Sequence, residues 1–174
     1  MIAPKQGFNG GLMGKIIYRV GLPLIGVILF FSIASNYYRL AFNTTESLAG
    51  SVYLIDKDAL PERGDIAAFI PPHGNINTNQ KGYLSTSSFL KETIGVSGDE
   101  VIITDTDVFV NAQHLGPIYS EGSNGQVLIP TKSGIVPIKH YFMGTKHHGS
   151  YDSRYASIGY ISEELIIGRA IRLF

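Results

Sequence analysis

The sequence contains no cysteine, and its 14 basic and 14 acidic residues leave no formal net charge at neutral pH. The lack of cysteine excludes disulfides, catalytic thiols and thiolate zinc sites. It does not fix the compartment, because an extracytoplasmic domain of this size can fold without disulfides. The zero net charge argues against a nucleic-acid partner, since phosphate binding relies on clustered lysine and arginine.

Charge is also absent from one long stretch near the N-terminus. Nineteen uncharged residues, rich in Leu, Ile, Val and Phe, lie between Arg19 and Arg39. A helix of this length spans roughly 29 Å, about the thickness of the hydrocarbon core of a bilayer. We therefore predict a transmembrane anchor over residues 20–38, behind an N-terminal segment 1–19 and ahead of one domain over residues 39–174.

The charges around this stretch predict its orientation. Lys5, Lys15 and Arg19 precede it, which places the N-terminus in the cytoplasm and the domain that follows on the outer side of the membrane, in contact with lipid at its anchor. A cleaved signal peptide with Ser32-Ile33-Ala34 as its cleavage site is the alternative. The apolar run is longer than the usual apolar region of a signal peptide, which favours a retained anchor.

The remainder of the chain has the composition of a turn-rich β domain. The sequence holds 20 glycines and 8 prolines, and its short apolar runs are separated by turn residues, a pattern typical of short strands. Polar residues 75–88 predict a loop. The predicted strands cover residues 52–55, 66–70, 90–98, 100–103, 108–111, 126–129 and 138–143, with 164–173 closing the sheet or forming a helical turn.

Two side chains are candidates for nucleophilic chemistry. Ser47 follows the apolar stretch in a segment of small polar residues, but a hydroxyl is a weak nucleophile unless a base removes its proton. A neutral lysine can be that base when burial lowers its pKa. Lys91 fits this requirement best, because apolar residues flank it within Phe89-Leu90-Lys91-Glu92-Thr93-Ile94-Gly95-Val96. Taken singly, a loop serine and a solvated strand lysine are the ordinary interpretations.

A third polar segment, 144–155, offers supporting groups. Asp152 and Arg154 can pair and stiffen a loop, and Ser150 provides a hydroxyl that could orient a nearby amine. Read alone, the segment is a polar turn.

Taken together, these segments resemble the successive motifs of the type I signal peptidase family. The motifs are Arg63-Gly64-Asp65-Ile66, the run from Lys91 to Asp99 and Ser150-Tyr151-Asp152-Ser153-Arg154-Tyr155, in family order behind an N-terminal anchor and a candidate serine. The spacing Asn43-x-Thr45-x-Ser47, with Tyr53 following, is similar to the TraF-type branch, the peptidases of conjugative plasmid transfer.

The resemblance implies a role for each candidate. Ser47 would attack the scissile carbonyl and Lys91 would be its general base. Thr45 would supply a side-chain donor to the oxyanion hole, and Ser150 would orient the lysine amine. Asp152 and Arg154 would support the site. The implied fold is a mainly antiparallel β domain of the signal-peptidase kind behind one N-terminal transmembrane helix, with no cofactor.

The implied function is that of a serine endopeptidase with a Ser-Lys dyad. It would be anchored in the cytoplasmic (inner) membrane, with its domain on the periplasmic side, and would cleave exported precursor proteins. The TraF-type resemblance further implies a propilin substrate, other pilus-assembly proteins as partners, and cyclisation of the product.

Some positions depart from the family pattern. Ala49 stands where proline is usual, Gly50 lies one residue ahead of the branch's glycine position, and Thr145-Lys146-His147 replaces Asp-Asn-Arg. These departures motivate an alternative: a catalytically silent subunit that keeps the fold in order to bind within a secretion or pilus-assembly machine.

Three other site classes fit less well. His147-His148 suggests a metal, but adjacent strand histidines face opposite ways and no third ligand stands at a useful spacing, so we predict none. A Ser-His-Asp triad is a second alternative, although no motif links His73, His114 or His140 to a serine and an aspartate. A self-cleaving repressor of the LexA kind would need a DNA-binding domain where the apolar stretch stands.

Overall fold

The structure, a computed structural model, describes Gly11 and residues 17–72, 88–123 and 125–174. The chain divides into two units, an N-terminal one that ends at Tyr37 and a second one that covers Tyr38–Phe174.

The described part of the first unit is helical. A π-helical turn, Ile17–Gly21, leads into α1, Leu22–Tyr37. The change from π to α geometry falls next to Pro23, which has no N–H to donate to the turn before it. Apolar side chains surround the helix on all sides, and none of its described residues is buried. The segment Ile17–Tyr37 is long and apolar enough to cross a membrane.

The described residues of the second unit form two antiparallel sheets. The strands are β1 Tyr38–Phe42, β2 Val52–Asp56, β3 Ile66–Phe69, β4 Phe89–Val96, β5 Glu100–Ile103, β6 Asp107–Val110, β7 Gln113–Pro117, β8 Gly134–Ile135, β9 His140–Gly144, β10 Ile161–Ser162 and β11 Ile166–Arg172, with a 3-10 turn at Glu163–Leu165 before the last. The larger sheet has the strand order β1-β2-β11-β3-β4-β9-β10 and the smaller the order β7-β6-β5-β8. All of the described strand pairings are antiparallel.

Strand β9 lies between two hydrophobic clusters. Tyr141 and Met143 pack on one side with Phe69 and Ile161, whereas Phe142 packs on the other side with Val101 of the smaller sheet. Successive strand residues point to opposite faces, so burial on both faces explains why residues 141–144 are all buried. The two sheets thus share a core through β9.

Strand β4 has one buried face. Lys91, Thr93 and Gly95 are buried, whereas the residues between them are half-buried. Lys91 pairs with Ala67 of β3, whose single methyl group leaves room beside the lysine chain. Because successive side chains of β4 point to opposite faces, the side chain of Lys91 points into the interior of the domain.

The predicted fold class is confirmed: the domain is mainly antiparallel β, behind one N-terminal apolar helix. One local prediction is wrong: residues 126–129 form no strand, because only Val127 bridges a partner, Glu121, and Val127 is 75% exposed. Strands β1, β7, β8 and β10 are not among the predicted strands, and each depends on pairing with a neighbouring strand. Of the predicted loop 75–88, residues 75–87 lie outside the described residues.

Candidate active site

Ser47 lies in the segment 43–51 that joins β1 to β2, which we call the serine loop. Three hydrogen bonds fix its main chain. The N–H of Asn43 donates to the carbonyl of Ser51 at 2.9 Å, and the N–H of Ser51 donates to the carbonyl of Phe174 at 2.7 Å. The hydroxyl of Tyr53, a buried residue of β2, donates to the carbonyl of Ala49. The loop is therefore tied at its base and at the segment that follows Ser47.

Lys91 brings its amine to Ser47 from the interior of β4. Its Nζ lies 3.0 Å from Ser47 Oγ and 2.9 Å from Ser150 Oγ. Only 7% of Lys91 is exposed, so protein atoms rather than water surround most of the side chain. The structure thus brings together the predicted nucleophile, the predicted base and the hydroxyl predicted to orient that base.

The environment of Lys91 favours its neutral form. Burial lowers the pKa of the lysine to about 8; the Asp152 carboxylate opposes this shift and the Arg154 guanidinium adds to it. An ammonium group has no lone pair, whereas a neutral amine can accept a proton from Ser47 while it donates an N–H to Ser150. Near pH 8, about half of the molecules hold Lys91 in the form that can act as a base.

Asp152 and Arg154 form a fully buried ion pair behind this site, with neither side chain exposed. Arg154 donates to both carboxylate oxygens of Asp152, at 2.8 and 3.1 Å, and to the carbonyls of Thr145 and Pro117 at 2.7 and 3.0 Å. A buried ion pair is tolerated only when further hydrogen bonds complete it. This network joins the ends of β7 and β9 to the turn that carries Ser150.

Ser150 is held within the same turn. It is 2% exposed, and its N–H donates to the carbonyl of His147 at 3.1 Å. Ser153 exchanges hydrogen bonds with the main chain of Met143 in β9, at 2.9 Å in each direction. The predicted supporting residues therefore act on Lys91 in two ways, Ser150 by contact and the ion pair through its charges and the rigidity of the turn.

Thr45 stands beside Ser47, the predicted nucleophile. Its Oγ1 lies 2.9 Å from Ser47 Oγ, and the residue is exposed. A hydroxyl in this position is close to the place where charge would develop on a carbonyl oxygen attacked by Ser47.

A cleft of about 1090 Å³ opens over these side chains. It is bordered by Thr45, Ser47, Lys91 and Ser150 together with apolar and aromatic side chains that include Phe42, Phe89, Leu90, Tyr119, Leu128 and Tyr151. A smaller pocket of about 450 Å³ also borders Ser47, and its charged side chains are Glu92, Lys146 and Arg172. Ser47 is therefore accessible to a ligand as long as a short peptide.

Among the described histidines, His147 borders the cleft, whereas His114 and His140 lie away from it. His114 contacts Asp107 at 2.7 Å and His140 contacts the carbonyl of Ile138 at 2.9 Å; neither borders the cleft. His73 lies outside the described residues. The expectation that His147 and His148 face opposite ways is wrong, because they lie in a turn rather than a strand and their rings stack at 4.8 Å. No group of three potential metal ligands occurs among the described residues.

Sequence reasoning assigned no role to Asn43 or Tyr53, although both organise the serine loop. An asparagine side chain often bonds to the main chain two residues further along and so stabilises a turn. The sequence around Asn43 is compatible with such a turn. The tie from Tyr53 to Ala49 depends on how β2 leaves the loop, which only the structure reveals.

Comparison with known proteins relates residues 14–174 to the family described as Signal peptidase, peptidase S26. The chain is 33% identical over 115 residues to a probable signal peptidase I-2 of Synechocystis sp., covering 66% of this chain and 48% of that protein. It is 32% identical to signal peptidase I of Leptolyngbya laminosa, of which it covers 53%. The chain thus spans about half the length of these relatives.

Two further similarities differ in coverage. The chain is 26% identical over 152 residues to the conjugal transfer protein TraF of Agrobacterium tumefaciens, covering 80% of this chain and 85% of that protein. A crystal structure of a signal peptidase I from Enterococcus faecalis covers 63% of this chain and 96% of that one, with 21% identity and a TM-score of 0.37.

Proposed function

The chain belongs to the signal peptidase family, peptidase S26, and from that premise we propose that it is a membrane-anchored serine endopeptidase that cleaves exported precursor proteins. Ser47 is the nucleophile and Lys91 the general base. The observation that carries this proposal is the 3.0 Å contact between Ser47 Oγ and the amine of a lysine that is almost fully buried. Burial lowers the pKa of that amine towards neutrality.

Acylation begins with neutral Lys91. As Ser47 Oγ bonds to the scissile carbonyl carbon, Lys91 Nζ takes the hydroxyl proton, and the carbonyl oxygen becomes an oxyanion. The N–H of Ser47 and the hydroxyl of Thr45 donate to this oxyanion, each worth roughly 3 kcal/mol in the transition state. The C–N bond then breaks, and the Lys91 ammonium gives its proton to the departing amine.

In deacylation, water is the nucleophile and Ser47 is the leaving group. A water molecule replaces the departed amine, Lys91 accepts one of its protons, and the oxygen attacks the ester of Ser47. When the intermediate collapses, Ser47 Oγ recovers its proton from Lys91 and the carboxylate product leaves. The hydroxyl of Ser150 keeps the amine directed at Ser47 in both steps.

The anchor and its orientation belong to the same proposal. The segment 20–38 crosses the cytoplasmic membrane, residues 1–19 face the cytoplasm, and residues 39–174 act on the periplasmic side. The positive charges ahead of the apolar segment support this orientation.

The substrate is more narrowly a propilin of a conjugative system. The similarity to TraF supports this choice, because it covers 85% of that protein whereas the signal peptidases are matched over about half their length. If an amine at the other end of the same chain attacked the acyl ester in place of water, an amide bond would form and the product would be cyclic. A linear mature pilin in cells that carry the enzyme would refute the cyclisation.

The test uses the full chain in detergent or vesicles with a precursor protein, and the products are weighed by mass spectrometry. Wild type is compared with Ser47→Ala and Lys91→Ala, and with Ser97→Ala and Lys132→Ala as exposed controls of the same types. We expect the first two variants to lose at least about a thousandfold in rate and the controls to match wild type. Cleavage that persists in Ser47→Ala and Lys91→Ala would refute the proposed dyad, and a wild-type chain that binds the precursor without cleaving it would be the silent binding subunit.

A further inference from the structure

Asn43 organises the serine loop through both ends of its amide group. Its Nδ2 lies 2.9 Å from the carbonyl of Thr45, 2.9 Å from that of Leu48 and 3.0 Å from that of Gly50. Its Oδ1 accepts the N–H of Thr45 at 3.2 Å. Because three carbonyls surround Nδ2 and a main-chain N–H points at Oδ1, the two ends of the amide cannot be exchanged.

The same oxygen determines which way the hydroxyl of Thr45 points. Asn43 Oδ1 lies 3.0 Å from Thr45 Oγ1, and an amide oxygen has no proton to give, so the hydroxyl must donate to it. Thr45 has only one hydroxyl proton. In its 2.9 Å contact with Ser47 Oγ, Thr45 is therefore the acceptor and Ser47 is the donor.

A one-way chain of hydrogen bonds follows. Lys91 donates to Ser47, Ser47 donates to Thr45, and Thr45 donates to Asn43. In this arrangement the proton of Ser47 points away from its base and the proton of Thr45 points away from the oxyanion position. Attack on a substrate requires both hydroxyl groups to turn.

We propose that Asn43 is a positioning residue that shapes the serine loop through its Nδ2 and holds the hydroxyl of Thr45 in a releasable resting direction through its Oδ1. The proposal rests on the proposed roles of Ser47, Lys91 and Thr45. When an oxyanion forms, the Thr45 proton leaves the neutral amide oxygen for the stronger, negatively charged acceptor. The release depends on the amide being neutral.

The substitution Asn43→Asp tests this property. It also removes the Nδ2 donor to the carbonyls of Thr45, Leu48 and Gly50, so only the part of its effect that requires the Thr45 hydroxyl reports on the held proton. Aspartate has the size and shape of asparagine and keeps an acceptor beside Thr45, but a carboxylate is a stronger acceptor and competes with the oxyanion for the proton. We expect kcat to fall about a hundredfold, the lower end of the effect of losing one oxyanion donor. KM should change little, because ground-state binding does not use the Thr45 proton.

A double-substitution cycle separates positioning from mere support of the fold. kcat and KM for precursor cleavage are measured for wild type, Asn43→Asp, Thr45→Ala and the double variant. Without the Thr45 hydroxyl there is no proton to hold, so Asn43→Asp should lower kcat much less in the Thr45→Ala background than in wild type. An undiminished effect in that background, or no effect in wild type, would overturn the proposal.

The folding of each variant is checked by its near-UV circular dichroism spectrum and by the midpoint of its unfolding in urea. Asn111→Asp is the matched control: Asn111 donates to Asp99 at 2.8 Å and does not border the cleft, so this variant should lose stability and keep its kcat. If Asn43→Asp does not fold, Asn43→Ser replaces it in the cycle. Serine removes both the Nδ2 donor and the oxygen that directs the Thr45 hydroxyl, so its effect on kcat should be reduced, though not abolished, in the Thr45→Ala background. Ser47→Ala, assayed in parallel, shows separately whether the proposed dyad itself fails.

Discussion

The burial of Lys91 predicts that replacing it with methionine changes stability in a pH-dependent way. The folded protein holds the pKa of this lysine at about 8, whereas an unfolded chain has the ordinary lysine value of about 10.4. Between these two values the unfolded state binds more protons than the folded state. The stability of the wild type therefore rises with pH in this range, since the charged amine is disfavoured only in the folded protein.

The size of the effect follows from the two pKa values. At pH 6.5 nearly all of the folded molecules carry a buried ammonium, and at pH 9.5 nearly all carry a neutral amine. The difference in the free energy of unfolding between wild type and Lys91→Met should shift by roughly 2 kcal/mol across this range. Methionine has no charge, so its advantage over lysine is largest at low pH and shrinks as pH rises.

The assay is urea unfolding of the full chain in detergent, followed by the near-UV circular dichroism of its ten tyrosines at several pH values between 6.5 and 9.5. Lys132→Met, at an exposed position, controls for the general effect of removing a lysine and should give a difference that does not change with pH. If Lys91→Met behaved like this control, Lys91 would titrate at an ordinary pKa and the proposed base would stay mostly charged even at pH 9.5.

Two further predictions concern residues that stabilise the site. Arg154→Met should lower the free energy of unfolding by about 3–5 kcal/mol, because it leaves the Asp152 carboxylate buried and unpaired. Arg63→Met, at an ion pair whose arginine is 47% exposed, should cost about 1 kcal/mol or less. Equal losses in the two variants would contradict the importance given to burial. Gly50→Ala should cost roughly 2–4 kcal/mol, because φ is +100° and the new Cβ would lie 2.7 Å from the carbonyl oxygen of Phe174. Gly64→Ala, at φ +88° with nothing within 4 Å, should show only the smaller backbone cost in the same unfolding assay, and a loss as large as that at Gly50 would mean that the close approach does not matter.

The features with the clearest sequence signals are those formed by residues that lie close together in the chain. The β5–β6 hairpin follows from two apolar runs separated by a polar turn, and the pairing of Asp152 with Arg154 follows from their closeness in the chain. Ser47 and Lys91 have only weak local signals, and the order of the motifs is what singles them out as candidates. Their contact joins residues far apart in sequence and depends on the register of β4 with β3.

The predictions that were wrong or absent depend on partners that sequence does not specify. Residues 126–129 have strand-forming side chains, but the chain places only one bridge beside them. Strand β1 is a strand because β2 lies alongside it. The role of Asn43 requires three carbonyls to converge on one amide nitrogen, and that convergence exists only once the serine loop has closed.

The lack of cysteine in this chain allows the most direct test of the proposed base. The variant Lys91→Cys has a single thiol, and alkylating it with 2-bromoethylamine rebuilds an amine at that position, with sulfur in place of one methylene and therefore a lower pKa. Precursor cleavage is measured against pH for wild type, the untreated variant and the alkylated variant. We expect a wild-type midpoint of about 8, an inactive untreated variant, and restored cleavage in the alkylated variant with its midpoint shifted to lower pH. Full activity before alkylation, or restored activity with an unshifted midpoint, would contradict the assignment of Lys91 as the base that activates Ser47.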